Sequence, residues 1–308
     1  MALATVACAQ DAWPTKPVKL VVPSSPGGGT DAYGRVLALG LTETLGQQVV
    51  VENRPGASGN IGAELVARSA PDGSTLLVSA NASISIGPHL YKNLSFDVER
   101  DFVPIARGVR APLAFCVQPS IPAKTLAEFL ALGKREPDKY AHGSAGNASP
   151  TYLGVRMLEE LSGARFLHVP YKGMGQAYQG FLGGAIHFML PDVATSLPHI
   201  RSGKATPLAV TDKTRHVPNV PTLAEAGFPL DIPGTFSVLA PAATPPAIVQ
   251  RISAEVLKAM RLPSIAEKLD GLALIPIFDT PAEFAAALKK EREMWGAVIR
   301  RNGITAEQ

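Results

Sequence analysis

Three consecutive glycines, Gly27–Gly29, stand between an apolar run and a helical pattern, and this feature most restricts how the chain can fold. The β-branched residues 18–22 before them predict a buried strand. Apolar residues then recur every four positions through 33–45, which predicts an amphipathic helix. We expect Thr30 or Asp31 to cap that helix. The turn would leave backbone N–H groups, at the positive end of the helix dipole, open to an anion.

Two explanations of this glycine turn remain open from the residues alone. It either binds an anion or carboxylate through free N–H groups, or it only provides a tight turn. It is not a nucleotide-binding motif, because it matches neither GxGxxG nor a Walker loop, in which Gly-Lys-Ser/Thr follows the glycines.

Strand and helix patterns alternate through the first third of the chain. Apolar runs at 49–51 and 75–79 predict strands, and residues 61–69 between them predict a helix that ends before the turn 71–73. This alternation is typical of an α/β fold with a parallel sheet, whose ligands bind at the carboxyl ends of the strands. Three polar residues at those ends, of which the first also suits a helix cap, are expected ligand contacts: Asn60, Ser79 and Asn81.

A second glycine-rich corner lies at residues 143–150. Ser149 followed by Pro150 predicts a helix start, because serine is a preferred N-cap and proline suits the first helical turn. That helix is predicted to reach Leu161. Further strands are predicted at 113–117, 168–173, 185–190, 208–211 and 234–240, and further helices at 125–132, 176–182, 246–261, 264–270 and 281–301.

Together these elements predict two βα lobes joined by two crossing strands. A chain of 308 residues is longer than one typical domain. We expect it to leave the first lobe near Leu113 and to return near Gly234. The first lobe would then comprise residues 11–113 and 235–308, and the second residues 114–234. The two glycine corners would face each other across a cleft.

Composition and charge argue against several classes of function. With 46% hydrophobic residues the chain has ample material for a core. A net charge of +3 without a Lys/Arg-rich run gives no indication of nucleic-acid binding. The longest apolar stretches are shorter than the ~20 residues that a membrane-spanning helix needs.

The first residues, 1–10, are interpreted as the remnant of a signal peptide. Small residues at Ala7 and Ala9 suit a signal peptidase, and a short apolar run precedes them. A lipid anchor on Cys8 is the weaker alternative, because Thr5 stands where an apolar residue is preferred. We therefore expect export to a bacterial periplasm.

Catalytic and metal-binding motifs are absent from the sequence. The six histidines are scattered without an HExxH pattern or Cys/His ligand spacing. The segment Gly143–Gly146 is not a GxSxG nucleophile elbow. We expect no catalytic residue, no metal and no cofactor.

Several motifs, in order along about residues 13–305, resemble the Bug-type substrate-binding proteins of tripartite tricarboxylate transporters. Each motif is weak alone, and together they are specific. They are Pro23-x-x-Pro26-Gly27-Gly28-x-Thr30-Asp31-x-x-x-Arg35, Glu52-Asn53-Arg54-Pro55-Gly56-Ala57-x-Gly59-x-Ile61-Gly62, Asp101-Phe102-x-Pro104-Ile105, His168-Val169-Pro170-Tyr171-Lys172-Gly173, Leu182-Gly183-Gly184 and Pro218-x-Val220-Pro221-Thr222-Leu223-Ala224-Glu225-Ala226-Gly227.

The resemblance implies a two-lobed periplasmic binding protein fold of type II-like architecture that closes on its ligand. It implies a small carboxylate ligand held by backbone amides and ordered waters, and integral-membrane transporter subunits as partners. We expect a monomer that does not bind nucleic acid. One alternative is an enzyme on a similar two-lobed scaffold, acting on a phosphate- or acyl-bearing substrate. Another is a receptor that reports to a sensor kinase instead of a transporter.

Two positions depart from the family pattern. Ser24 stands where the family usually has an aromatic residue, and Tyr152 where it often has histidine. Loss of the ring at position 24 should widen the pocket and leave room for an aromatic carboxylate. The helix starts after Gly29 and Ala148, facing each other from opposite lobes, suit a dicarboxylate with an anionic group at each end.

Two charged residues of the motifs need separate interpretation. We expect Asp31 to accept hydrogen bonds from water or from an amino or hydroxyl group of the ligand. Lys172 either pairs with the ligand carboxylate or is solvated. Arg35 and Arg54 are expected to hold loops in place. The expected ligand-binding residues are Ser24, Pro26, Gly27, Gly28, Gly29, Thr30, Asp31, Asn60, Ser79, Asn81, Ser144, Ala145, Gly146, Asn147, Ser149, Tyr171, Lys172 and Asp192.

Overall fold

The computed structural model describes residues 13–80 and 82–305. The predicted signal-peptide remnant 1–10, with Cys8, and the expected contact Asn81 therefore lie outside the described residues.

The described chain alternates strands and helices along most of its length. Its strands are β1 (Val18–Val22), β2 (Val49–Asn53), β3 (Thr75–Ser79), β4 (Phe102–Arg110), β5 (Ala114–Val117), β6 (Ala141–Ser144), β7 (Leu167–Pro170), β8 (Phe188–Met189), β9 (Thr206–Val210), β10 (Thr235–Pro241) and β11 (Ile275–Pro276). Its α-helices are α1 (Gly29–Leu45), α2 (Asn60–Ala67), α3 (Gly87–Leu90), α4 (Val98–Asp101), α5 (Leu126–Arg135), α6 (Pro150–Ser162), α7 (Met174–Leu182), α8 (Val193–Arg201), α9 (Pro246–Arg261), α10 (Pro263–Gly271) and α11 (Pro281–Arg301). A 3₁₀ turn (Ala57–Gly59) precedes α2, and a π-helical segment (Ala82–Ile86) precedes α3.

The strands form two separate sheets, and each sheet is the centre of one lobe. Lobe 1 contains a six-stranded sheet in the order β11-β4-β10-β3-β1-β2. Lobe 2 contains a five-stranded sheet in the order β7-β6-β8-β5-β9. The prediction of two lobes built from strands and helices is confirmed.

The predicted parallel sheet is confirmed for the strands of the first third, and other strands of both sheets pair antiparallel. In lobe 1, β2, β1 and β3 are parallel, but β10 pairs antiparallel with both β3 and β4. In lobe 2, β6 is parallel to its two neighbours, whereas β5 is antiparallel to β8 and β9. The strand β10 re-enters the first sheet from the other lobe, and so it runs against the strands of the βα units.

The strand β4 has no counterpart among the predicted elements. Its residues do not alternate between apolar and polar, because Pro104, Arg107 and Gly108 interrupt the pattern. It is nevertheless nine residues long and lies between β10 and β11. The register of its pairing with β10 shifts at two places, which further weakens the alternation of apolar and polar residues expected of a strand.

The two chain crossings between the lobes lie side by side. The Ala111 N–H donates to the Gly234 carbonyl at 2.8 Å. A Cβ on Gly234 would overlap the Ala111 carbonyl oxygen, so that only glycine allows this close approach. The crossings thus lie in direct contact with each other, and Leu113 and Gly234 beside them line the cavity between the lobes.

The last helix contributes to the apolar packing of both lobes. Phe284 and Leu288 pack in a cluster with β3 and β10 residues of lobe 1. Trp295, Val298 and Ile299 pack in the aromatic core of lobe 2. The apolar stripe that the sequence shows along α11 is therefore core packing, as its spacing predicts.

Candidate functional site

A cavity of about 90 Å³ lies between the lobes, beside the two crossings. It receives residues from the β1–α1 turn, the end of β3, the start of β10, and the starts of α6, α7 and α8. Both lobes therefore form its wall. The lining residues are Pro23, Ser24, Gly28, Gly29, Thr30, Ser58, Gly59, Ser79, Ala80, Ala82, Ser83, Leu113, Ala145, Ser149, Pro150, Thr151, Gly173, Met174, Asp192, Gly234, Thr235 and Phe236.

The first glycine corner lies in lobe 1 at this cavity. The helix α1 begins at Gly29, with Gly28 as its N-cap in extended conformation and no side-chain cap. The expectation that Thr30 or Asp31 caps α1 is wrong, because both residues lie inside the first turn. Gly27 has a φ of 85°, a conformation that favours glycine.

The Asp31 carboxylate binds its own loop. It accepts hydrogen bonds from the Gly27 N–H, the Arg35 Nε and the Asn53 side-chain amide, each at 3.0 Å. Asn53 also donates to the Ser24 carbonyl at 3.1 Å. Burial raises the pKa of Asp31, but these hydrogen bonds outweigh it and hold the pKa below its usual value. The carboxylate thus stabilises the turn and lies outside the cavity lining.

A second aspartate, Asp192, lies in the wall of the cavity. Its carboxylate caps α8 by accepting the Thr195 N–H and hydroxyl, both at 2.8 Å. It also accepts the Gly29 N–H from lobe 1. Burial raises the pKa of Asp192, and these hydrogen bonds oppose the shift. An amide of the first glycine corner is therefore occupied by a carboxylate of the protein.

The second glycine corner lies in lobe 2 on the opposite side of the cavity. Ser149 caps α6 through the Tyr152 N–H at 3.2 Å, and Pro150 occupies the first turn, so that the predicted helix start is confirmed. The Thr151 hydroxyl accepts the Ala145 N–H at 3.2 Å. These contacts bring Ala145, Ser149 and Thr151 to the cavity.

Two histidines, the buried His142 and the half-buried His168, pack next to this second corner. The Ser144 hydroxyl lies 2.7 Å from His168 Nε2 and accepts the Gly146 N–H at 3.1 Å. The His168 ring stacks on Tyr152, with centroids 4.1 Å apart, and on His142, 5.4 Å apart. Burial, together with Arg156, lowers the pKa of His168 to about 4, which favours the neutral ring.

The structure brings only part of the expected residues to the cavity. Those in the lining are Ser24, Gly28, Gly29, Thr30, Ser79, Ala145, Ser149 and Asp192. Those outside the lining are Pro26, Gly27, Asp31, Asn60, Ser144, Gly146, Asn147, Tyr171 and Lys172. Lys172 is exposed, and its contact with lobe 1 is through its backbone carbonyl, 3.5 Å from the Ser25 hydroxyl.

Several lining residues were missed by sequence reasoning. Ser58 and Gly59 belong to the Pro55–Gly59 segment, whose glycines and small residues were a usable signal. Gly234 and Thr235 are at the second crossing, which the predicted lobes already brought to the cleft. Thr151 and Met174 lie in first turns of helices and carry no distinct signal in the sequence.

The polar groups of the lining are mostly hydroxyls. Ser79 and Ser83 hydroxyls are 3.1 Å apart, and Ser58 accepts the Tyr91 hydroxyl at 3.0 Å. The Ser24 hydroxyl is buried without a protein partner. Among the described lining residues there is no lysine, arginine or histidine, and the one charged side chain is Asp192. The described part of the lining therefore offers hydroxyls, and no cationic side chain, to a ligand.

The described residues contain no group of three or more His, Cys, Asp and Glu side chains that could hold a metal ion. Within the same residues no helix is both long and apolar enough to cross a membrane. Cys116 is buried, and burial raises the pKa of its thiol to about 12, so that the reactive thiolate is disfavoured.

Comparison with known proteins agrees with this arrangement. The model of the tripartite tricarboxylate transporter family receptor, TctC, matches residues 33–304. The chain is 34% identical to protein BugT of Bordetella pertussis, over 95% of this chain and 91% of that protein.

Two solved structures are also similar to the chain. The periplasmic binding protein BugD is 31% identical, with a TM-score of 0.89 over 96% of this chain and 100% of that one. An R. palustris protein with adipate is 30% identical, with a TM-score of 0.91 over 96% and 99%. The predicted periplasmic binding protein fold is therefore confirmed. The chain belongs to the tripartite tricarboxylate transporter family receptors, the TctC family of Bug-type solute-binding proteins.

Proposed function

We propose that this protein is a periplasmic solute receptor that binds a small carboxylate in the interlobe cavity and delivers it to a tripartite tricarboxylate-type membrane transporter. The observation that supports the proposal is the cavity wall, which joins helix starts and hydroxyls of both lobes around one small space. We propose binding without chemistry, a role supported by the described lining residues, among which no nucleophile is paired with a base.

The carboxylate would bind nearer α6 than α1. The Gly29 N–H already receives the Asp192 carboxylate, and two anions at one helix start repel each other. The opposite wall presents the start of α6 with Ser149 and Thr151. Attraction at a helix start is modest, ~0.3–1 kcal/mol when exposed and up to ~2 when partly buried. Several hydrogen bonds made together in a closed cavity would supply the remaining affinity.

The size of the cavity limits the ligand class. A volume of about 90 Å³ is well below the ~300–1,000 Å³ of sites for drug-sized ligands. A short dicarboxylate or a single-ring aromatic carboxylate is consistent with this space once the lobes open slightly. The relative solved with adipate supports a dicarboxylate.

Opening and closing would occur at the two crossings. We propose lobe boundaries at 113/114 and 234/235, which is where the chain passes between the sheets. A monomer suffices for this motion, because both walls of the cavity come from one chain.

A thermal-shift screen tests the ligand class directly. At a hundredfold excess over Kd, binding adds ~2.7 kcal/mol, which should raise the unfolding midpoint by roughly 4–8 °C. Short dicarboxylates and aromatic carboxylates should give this shift, whereas their amides and esters should not. A response to neutral sugars or cations, with every carboxylate silent, would contradict the proposal. Recovering the bound ligand chemically unchanged distinguishes a receptor from an enzyme.

Delivery needs a separate experiment. Cells carrying this protein and the membrane subunits should take up the ligand found in the screen, and cells without this protein should not. If cells with and without this protein took up the ligand equally, the protein would bind the ligand but would not deliver it to this transporter.

A further inference from the structure

The two lobes touch directly beside the cavity, along a seam that glycines line on the lobe 2 side. A Cβ on Gly175 would lie 2.6 Å from the Pro26 carbonyl oxygen of lobe 1. A Cβ on Gly173 would lie 3.2 Å from the backbone nitrogen and the hydroxyl oxygen of Ser25. The seam thus joins the β1–α1 turn to the start of α7.

We propose that Gly175 sets how far the lobes close, so that ligand affinity depends on the absence of a side chain at this position. The inference rests on the proposed function, in which closure traps the ligand. It deepens that function by assigning a positioning role to a residue that does not line the cavity.

Gly175 does not need glycine for its backbone conformation. It lies in the first turn of α7 without a positive φ, where alanine is the better helix former. The three atoms nearest to a Cβ added here are all backbone atoms of lobe 1, namely the Pro26 oxygen at 2.6 Å, the Gly27 carbonyl carbon at 3.6 Å and the Gly28 nitrogen at 3.7 Å. The close approach of lobe 1 is therefore the physical reason for a glycine here.

The lobe 1 side of the seam is held in place. The turn that carries the Pro26 carbonyl is tied to the Asp31 carboxylate through the Gly27 N–H and, through Asn53, at the Ser24 carbonyl. A backbone oxygen in such a network cannot move aside as a flexible side chain would.

The lobe 2 side is also anchored. The inner face of α7 places Met174, Ala177, Tyr178 and Phe181 in the core of lobe 2, where each is less than one-tenth exposed. Since neither partner can withdraw, an added methyl group at position 175 must be accommodated by separating the lobes. The cleft would then remain partly open and the cavity wet.

Gly175→Ala is the decisive variant, and Gly271→Ala is its matched control. Gly271 ends α10, has no positive φ and has no atom within 4 Å of an added Cβ. The probes are L-malate, succinate, adipate and benzoate, measured by calorimetry and by small-angle scattering. We expect Gly175→Ala to weaken binding roughly 5- to 150-fold, the usual range for overpacking, and to lose the compaction that ligand causes. Gly271→Ala should behave as the wild type.

The unfolding midpoint without ligand separates closure from folding. Because alanine favours the helix, Gly175→Ala should unfold at the wild-type temperature or above it. If Gly175→Ala binds ligand and compacts like the wild type, the inference is overturned. It is also overturned if the unfolding midpoint of Gly175→Ala is lowered enough that partial unfolding explains the lost affinity.

A second measurement needs no ligand and therefore tests the seam even where the proposed function fails. Ser25→Cys and Lys172→Cys, in a Cys8→Ser background, place thiols on the two sides of the seam. The yield of their cross-linking by a short bifunctional maleimide reports how often the lobes touch. We expect Gly175→Ala to lower this yield and Gly271→Ala to leave it unchanged. Equal yields with glycine and alanine at position 175 would overturn the inference, whereas probes that fail to bind the wild type would contradict only the carboxylate receptor.

Discussion

The carboxylate of Asp192 in lobe 2 lies directly against Gly29, the first residue of α1 in lobe 1. A Cβ on Gly29 would lie 2.5–2.6 Å from the carboxyl carbon and both oxygens of Asp192. The same carboxylate caps α8. One side chain thus connects the starts of two helices in different lobes, at the base of the ligand cavity. Its negative charge suits both helix starts, where the dipole is positive.

Asp192→Ala should lower the free energy of unfolding by about 1–2 kcal/mol, because it removes the cap of α8 and leaves the Gly29 N–H without its acceptor. Asp192→Asn keeps a side-chain oxygen at the same place and should lose less. Urea denaturation at neutral pH measures both variants. If Asp192→Ala and Asp192→Asn had the same free energy of unfolding, the side-chain oxygen at position 192 would contribute nothing as the cap of α8.

Asp31→Asn should destabilise the protein at pH 7 by about 1–3 kcal/mol, since the donors of Gly27, Arg35 and Asn53 lose a charged acceptor. The pKa of Asp31 lies below its usual value of 3.8 in the fold. Its stabilising effect is therefore complete above about pH 4 and is lost as the pH falls through the folded pKa. The difference from the wild type should shrink at pH 3.

Asp231→Asn is the control for Asp31→Asn. Its side chain is 74% exposed and pairs with Arg110 at 3.4 Å, so that the change should be within about 1 kcal/mol of neutral. A pH-independent difference for Asp31→Asn would contradict the assignment of its carboxylate to the turn.

The wild type is expected to lose free energy of unfolding as the pH falls from 6.5 to 4, and His168→Gln should make this loss smaller. The pKa of His168 is lowered from 6.5 to about 4, chiefly by burial, so that the unfolded chain takes up the proton first. The wild type is therefore expected to lose stability as the pH falls through this window. Glutamine does not titrate and still reaches the Ser144 hydroxyl. Urea midpoints at pH 7 and 5 measure the difference, and an unchanged slope would exclude His168 as its source.

Ser24→Phe should weaken ligand binding roughly 5- to 150-fold, because a ring overpacks a cavity of about 90 Å³ at a cost of ~1–3 kcal/mol. Ser24→Ala adds no volume and removes only the hydroxyl that has no protein partner. It should cost about 1 kcal/mol if the ligand is that partner. Calorimetry with the carboxylate found in the screen tests both, and unchanged affinity in Ser24→Phe would place position 24 away from the ligand.

The start of α6 and the alternation of strands and helices were predictable because their signals are local. Ser149 and Pro150 define the start of α6 through contacts within four residues, and the structure confirms that start. The glycine corner after β1 likewise needs no distant partner to be recognised. The alternation of strands and helices followed from apolar spacing, and two crossings near residues 113 and 234 followed from the order of those elements.

The direction of strands and the orientation of the two aspartates depended on the tertiary structure. The strand β10 is antiparallel because it returns from the other lobe, and β4 is recognised only through its pairing with β10. Asp31 is part of a family motif but binds its own turn. Asp192 lies 161 residues after Asp31 in the chain, and yet it reaches the cavity and the Gly29 amide.

By itself the sequence determined the family, the two lobes and the glycine turns at the cleft, since these follow from short-range patterns of residue type. Only the tertiary structure decided which groups line the cavity and which tie the loops. A carboxylate or hydroxyl binds whichever donor lies within about 3 Å, and for Asp31 and Asp192 those donors were fixed by how the chain and the lobes pack. The same reason explains Gly175, whose role depends on a carbonyl from the opposite lobe and on nothing in its own segment.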